Sequence, residues 1–334
     1  MNILKFEELS QLWFSQCMVG RCYSYKVELK SIIKHLNRYL GEKNICDILP
    51  IDITQMISEL AEKNPNTGKP MSKQMLKVLV KTCYRIFDMA VDNDWLNKNP
   101  AKGKTKFIPK NAPKKKVSSI SKTEQLAILN TPHRCRTATL IMMLLGLRTS
   151  ELLALKWKNI DLIEKKAYIC EHAEKISPNR YRVMPDTKNS QSRYVAIPDN
   201  LCELLFYEMQ NATSEYVFPK TDGTLNTPSS WNSAWKSYMN TINYYYNLQI
   251  RGVNFSKNSP KGYPKLIKIN PHQLRHTYAT LLYASGTDVL TGSKLLGHSN
   301  VQFTLNTYTH LDKVYKTPDI SKFNEYISSD FGKI

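Results

Sequence analysis

In the stretch NPHQLRHTYATLLYASG, residues 270–286, His272, Arg275 and His276 fall at i, i+3 and i+4. On a helix that spacing gathers the three side chains on one face. Asn270 suits an N-cap and Pro271 a first helical turn, so the trio sits at the end of the helix that attracts anions. Two chemistries suit such a cluster. HxxxH can present two zinc ligands, although no Glu follows His272 as it does in metalloproteases and the sequence offers no obvious third ligand. An imidazole and a guanidinium beside a helix N-terminus suit a phosphate group instead. His276 precedes the apolar run TYATLL and can turn into the core as a structural hydrogen-bonding group.

A second arginine stands at a break in RTATLIMMLLGLRTSELLALKW. Arg148 follows Gly146 after an apolar helix, and Glu151 lies one turn later, able to hold the guanidinium. Taken alone, the pair reads equally well as an ordinary ion pair at a helix start. In KLLGHSNVQFTLNTYTHL, His298 occupies a glycine turn between helices, with Tyr308 and His310 ten and twelve residues further on. Lys188 falls at a hairpin turn in PDTKNSQSRYVAIP.

The elements that must position these residues belong to a chain of 334 residues, 42% hydrophobic, enough for the cores of two domains. Lys and Arg total 47 against 28 Asp and Glu, a formal net charge of +19 that calls for a polyanionic partner, nucleic acid first. No apolar run is long enough to span a bilayer and MNILKFEELSQLW is no signal peptide, so no membrane partner and a cytoplasmic location are expected. Cys17, Cys22, Cys46, Cys83, Cys135, Cys170 and Cys202 are scattered and never in CxxC spacing, which argues against a disulfide framework or a zinc knuckle.

Residues 1–105 show helical periodicity only, clearest where Met75, Leu79, Cys83, Ile86, Phe87 and Ala90 share one face, and a four-helix domain fits. A basic linker follows over 106–118, within a lysine-rich run carrying Lys102, Lys104, Lys106, Lys110, Lys114, Lys115 and Lys116 with no acid. Proline and self-repulsion would keep it extended as a strap along a phosphate backbone. The second domain, 119–334, opens with Ser121 and Glu124 in capping-box spacing. Short alternating runs, KKAYICEHAEK, RYRVMPDTK and SRYVAIP, predict a small antiparallel sheet before helices return. YNLQIRGVNFSKNSPKGYPKLIKIN, with five basic residues and no acid, reads as a DNA-facing loop, and KTPDISKFNEYISSDFGKI as a short amphipathic tail helix starting at Thr317.

The order R…K…HxxR…H…Y, set in GLRTSELLAL, HQLRHTYAT, LLGHSN and TYTHL, resembles the tyrosine recombinases, the phage-integrase and conjugative-transposon integrase family, over about residues 119–312. The resemblance implies a mainly α fold with a small antiparallel sheet, its helical core-binding domain and catalytic domain forming a two-domain clamp on DNA. It implies that Tyr308 is the nucleophile, Arg148 and Arg275 the phosphate clamp, Lys188 the general acid, His272 an acid/base partner and His298 a hydrogen-bond donor to the phosphate. Glu151 would orient the first arginine, and Thr149, His276 and His310 are motif neighbours. The implied reaction is site-specific cutting and rejoining of double-stranded DNA through a 3′-phosphotyrosyl link, with no metal, ATP or other cofactor. The implied assembly is a monomer that becomes a homotetramer on DNA, with an accessory DNA-bending or directionality factor as a further partner. A noncatalytic DNA-binding regulator and a type IB topoisomerase are the competing expectations, the first weakened by the complete set of catalytic positions. Core-binding helices are expected almost from the first residue, leaving no room for an N-terminal arm-binding domain, so the expectation is either a simple two-domain recombinase or a truncated chain.

Overall fold

Four helices with apolar stripes need one another to bury them, and in a computed structural model of the chain they do so: α1 (Phe6–Cys17), α2 (Tyr23–Leu40), α3 (Pro50–Glu62) and α4 (Lys73–Asp92). Residues 4–114, 118–178, 180–185, 192–252, 264–298, 300–302, 304–305 and 308 are described. The chain divides into two units, Met1–Lys116 with Lys175–Arg180, and Val117–Glu174 with Tyr181–Ile334. In the first, Phe6, Leu9, Leu36, Ile53, Leu60, Leu79, Ile86 and Phe87 are fully or almost fully buried, and the Phe6 and Phe87 rings meet at 5.2 Å between centroids. Each such side chain contributes about 1.5–3 kcal/mol. Ser72 caps α4 by accepting from the Met75 amide at 3.3 Å.

The lysine-rich run departs from the extended strap expected of it. Residues 104–107 form a 3-10 turn, Ile108 and Ala112 are buried in the first unit's core, and the Lys73 amide donates to the Pro113 carbonyl at 2.9 Å. Three apolar side chains, Ala101, Ile108 and Ala112, decide this: their burial fixes the backbone while Lys102, Lys106, Lys110 and Lys114 stay exposed. Lys115 and Lys116 lie outside the described residues.

The second unit begins with α5 (Lys122–Asn130), where Ser121 and Glu124 form the expected reciprocal cap. It continues with α6 (Arg136–Leu145) and α7 (Thr149–Ala154). Then come β1 (Ile160–Asp161), β2 (Lys166–Ile169), β3 (Glu171–Ser177), β4 (Arg180–Pro185) and β5 (Arg193–Ala196), of which residues 175–177 and 180 group with the first unit. They make two small sheets rather than one, a three-stranded β1-β2-β5 and a two-stranded β3-β4. KKAYICEHAEK is therefore not one strand but two, broken at Cys170. The helices α8 (Asp199–Gln210), α9 (Pro228–Arg251), α10 (Pro271–Ala284) and α11 (Val289–Leu296) complete the unit. The fold is thus mainly helical with small antiparallel sheets. Among the described residues no helix is long and apolar enough to cross a membrane.

Candidate active site

The N-terminus of α10 is set in place from α9. Asn243, 2% exposed, donates to the Ile267 carbonyl at 2.8 Å and accepts from the Ile267 amide at 2.9 Å. Asn247 donates to the Pro264 carbonyl at 2.9 Å, and the Trp235 indole to that of Ile269 at 3.2 Å. Two carboxamides thus replace a missing strand partner for residues 264–269, whose buried Ile267 and Ile269 alternate with exposed Leu266 and Lys268. Asn270 then accepts from the His272 amide at 3.0 Å and α10 starts at Pro271, as its sequence predicts. His272 is exposed and its ring meets that of His276 edge-on at 4.9 Å.

Arg275 turns inward and is 4% exposed. It donates to the Gly146 carbonyl at 2.7 Å and to the Leu296 carbonyl. Gly146 ends α6 with φ 69°, and a Cβ there would also run into the Tyr278 ring, so only glycine serves both demands. Two residues on, Arg148 donates from its guanidinium to Glu151 at 2.7 Å and to the Gly297 carbonyl at 2.8 Å. Its backbone amide adds a bond to the other Glu151 oxygen at 2.9 Å.

A third arginine completes the group. Arg193 pairs both oxygens of Glu151, at 3.2 and 2.8 Å, and donates from Nε to the Leu295 carbonyl at 2.8 Å. The last carbonyls of α11 and its Gly297 cap thus seat three guanidiniums on three consecutive residues, Leu295, Leu296 and Gly297. Unpaired carbonyls and the negative end of the helix make this turn a good seat for cations. Three guanidiniums against one carboxylate leave two formal positive charges, suited to an anionic substrate.

The charges reshape their neighbours. Burial alone would push the Glu151 carboxyl up, but the hydrogen bond and charge of Arg193, then those of Arg148, bring it down to about 2. Burial, then the Arg148 charge, lowers Arg275 to about 9, still cationic at neutral pH. His298, whose Nδ1 lies 2.8 Å from the fully buried Thr304 hydroxyl, is lowered to about 4 by burial and then by Arg275 and Arg148, so it is neutral. His276 is lowered to about 4 by burial, then by His272 and Arg275.

Tyr308 lies against α11 at Gly292. It is 4% exposed, packs edge-on against Tyr283 at 5.2 Å between centroids, and its hydroxyl has no hydrogen-bond partner among the described residues. A Cβ on Gly292 of α11 would come 2.5 Å from that hydroxyl. Burial, then Asp288, raises its pKa, so the phenol is protonated where it lies. Lys188 and His310 fall outside the described residues, as do the tail helix and residues 253–263 of the basic loop. Among the described residues no group of three or more His, Cys, Asp or Glu is placed to hold a metal ion. Arg193 is the one residue of the cluster that sequence reasoning missed. Its signal was the alternation in SRYVAIP, which puts Arg193 on the same strand face as Val195 and so demands a buried counter-charge.

A mainly helical, two-unit chain with three arginines clustered on the closing turn of a helix is of the kind that handles the phosphodiester of a nucleic acid. The profile of the Phage integrase family matches residues 111–314. The chain belongs to this family, the tyrosine recombinases, enzymes that cleave and rejoin DNA in site-specific recombination and that include the integrases of mobile elements. It is 29% identical over 324 residues to a XerC-like tyrosine recombinase of Caldanaerobacter subterraneus subsp. tengcongensis, covering 90% of this chain and 76% of the relative. It is 28% identical over 318 residues to the ICEBs1 integrase of Bacillus subtilis, covering 92% and 79%. The fold matches the Tn1549 transposon integrase in complex with a circular intermediate DNA, with a TM-score of 0.73 at 18% identity over 95% of this chain and 98% of that one. It also matches a lambda integrase tetramer bound to a Holliday junction, with a TM-score of 0.61 at 16% identity over 95% and 81%.

Proposed function

We propose that Tyr308 attacks a scissile phosphodiester held by Arg148 and Arg275, and that the observation carrying this reading is the convergence of those two guanidiniums on neighbouring carbonyls, Gly297 and Leu296. Two forked cations side by side fit the nonbridging oxygens of one phosphate, where lysine would offer only a point charge. The Tyr308 oxygen forms a bond to phosphorus and loses its proton, with His272 as the acid/base partner. The bond from phosphorus to the 5′-oxygen breaks, and Lys188 supplies that oxygen with a proton. His298, neutral and hydrogen-bonded at Nδ1, donates to the phosphate, and Glu151 orients Arg148. The 3′-phosphotyrosyl link conserves the phosphodiester, so a 5′-hydroxyl reverses the step without ATP. At 4% exposure Tyr308 must leave its pocket against Tyr283 before it can attack.

The proposed partner is a specific duplex site. Residues 1–105 serve as the core-binding domain, 106–118 as the basic connection and 119–334 as the catalytic domain. The chain is a monomer that forms a homotetramer on two sites, aided by a DNA-bending or directionality factor, and is a cytoplasmic, nucleoid-associated protein of bacterial or phage origin. Relatives in DNA complexes, one a tetramer on a Holliday junction, support this assembly. A nicked suicide duplex incubated with the protein tests the chemistry. A covalent adduct on a denaturing gel is expected from the wild type, undiminished by excess EDTA, and none from Tyr308→Phe. An adduct persisting in Tyr308→Phe moves the nucleophile elsewhere, with Tyr315 next in line, and loss of the wild-type adduct in EDTA overturns the metal-free route.

A further inference from the structure

Arg193 enters the cluster from an unusual place. It is paired in register with Ile169 of β2, on the inward face of β5 beside the fully buried Val195, and is itself 8% exposed. A cation in that position is costly unless it is fully paired. Its guanidinium meets both oxygens of Glu151 and, through Nε, the Leu295 carbonyl. A Cβ on Gly297 would lie 2.9 Å from Arg193 Nη1, so the bare backbone of the α11 cap is what admits the side chain. Arg193 therefore abuts both of the protein groups that Arg148 grips, Glu151 and the closing turn of α11.

We propose that Arg193 is a positioning residue for strand cleavage, which occupies Glu151 from the far side and so leaves Arg148 free to present its remaining N–H groups to the phosphate. The proposal rests on the reading of Arg148 as a phosphate clamp. Glu151 accepts four hydrogen bonds: from Arg148 Nη1 and Arg193 Nη1 at one oxygen, and from the Arg148 amide and Arg193 Nη2 at the other. With Arg193 in place, Arg148 spends a single side-chain N–H on the carboxylate. Without it, Glu151 turns toward the fork-to-fork pairing that arginine and carboxylate favour, and a second N–H of Arg148 is withdrawn from substrate. Lysine cannot substitute, because one ammonium on a flexible stem cannot span both carboxylate oxygens and the Leu295 carbonyl in a plane.

Single-turnover cleavage of a nicked suicide duplex by the full chain tests this, with duplex affinity and thermal unfolding followed in the same preparations. Arg193→Lys, which keeps the charge, is expected to hold duplex affinity within about twofold and to slow cleavage by about tenfold or more, and Arg193→Met to slow it further. In a Glu151→Gln background the Arg193→Lys penalty is expected to shrink to about threefold or less, because a neutral amide no longer competes for Arg148. A purely structural role would not produce that coupling. Wild-type cleavage by Arg193→Lys, or penalties that simply multiply in the double variant, overturns the proposal, and this holds even where Arg193→Met fails to fold. Normal cleavage by Arg148→Ala would instead bring down the clamp reading itself, so the two failures are distinguishable.

Discussion

The Glu151 carboxylate accepts from two arginines at 1% exposure, which ties its ionisation to folding. Its ordinary value is 4.5 and its folded value about 2. A carboxyl with a depressed folded value stabilises the fold above its unfolded value, and that contribution disappears as pH falls through the folded one. At neutral pH it amounts to roughly 3 kcal/mol, and it is lost between about pH 4.5 and 2. Urea unfolding of the wild type and Glu151→Gln should therefore show a wide stability gap at pH 7 that narrows by pH 3. Arg148→Ala and Arg275→Ala should each slow cleavage by at least the ~10²–10³ typical of one oxyanion donor, read as single-turnover adduct formation. Six of the seven residues singled out for chemistry or its support lie among those described, and their types were singled out because the proposed chemistry on a phosphodiester asks for forked cations and a nucleophile. Arg193 was not legible in the same way. Its counter-charge is Glu151, 42 residues earlier, and only the fold brings β5 against α7.

At the scale of elements, helix starts were the most legible features, because a cap is a local contract: Ser121 with Glu124, and Asn270 with Pro271, form as their spacing predicts. Segments governed by distant packing were read less well. The lysine run looked extended by its own charges, yet Ile108 and Ala112 fold it down, and the break at Cys170 that divides β2 from β3 has no proline or glycine to announce it. Gly146→Ala should cost about 2–5 kcal/mol, combining an αL conformation with overpacking against Tyr278, and should reduce cleavage as well because Arg275 docks on the Gly146 carbonyl. Urea unfolding and single-turnover cleavage read the two effects separately. Asn243→Leu removes both partners of the Ile267 backbone, each buried orphan costing about 1–3 kcal/mol. Faster amide hydrogen exchange at Ile267, spreading to the first turn of α10, is the expected signature.

At the scale of the whole molecule, the net charge of +19 made nucleic acid legible as a partner before any motif did, but it says nothing about which site or which rearrangement. Replacing Lys114, Lys115 and Lys116 with glutamine should weaken binding to every duplex alike, and flatten the dependence of log Kd on log salt by roughly 0.9 for each phosphate that these lysines neutralise. An unchanged slope in band-shift titrations would reduce these lysines to a solvated surface. The seat on α11 bears on how the protein is made. Arg148, Arg193 and Arg275 emerge from the ribosome before the carbonyls of Leu295, Leu296 and Gly297 that receive them. At about 5–20 residues per second, Arg148 waits about 7–30 s for its carbonyl, Arg193 about 5–20 s and Arg275 only about 1–4 s. The arginine seat is therefore assembled late in synthesis, and a chain released at Thr287 should have a second unit that melts without a sharp transition.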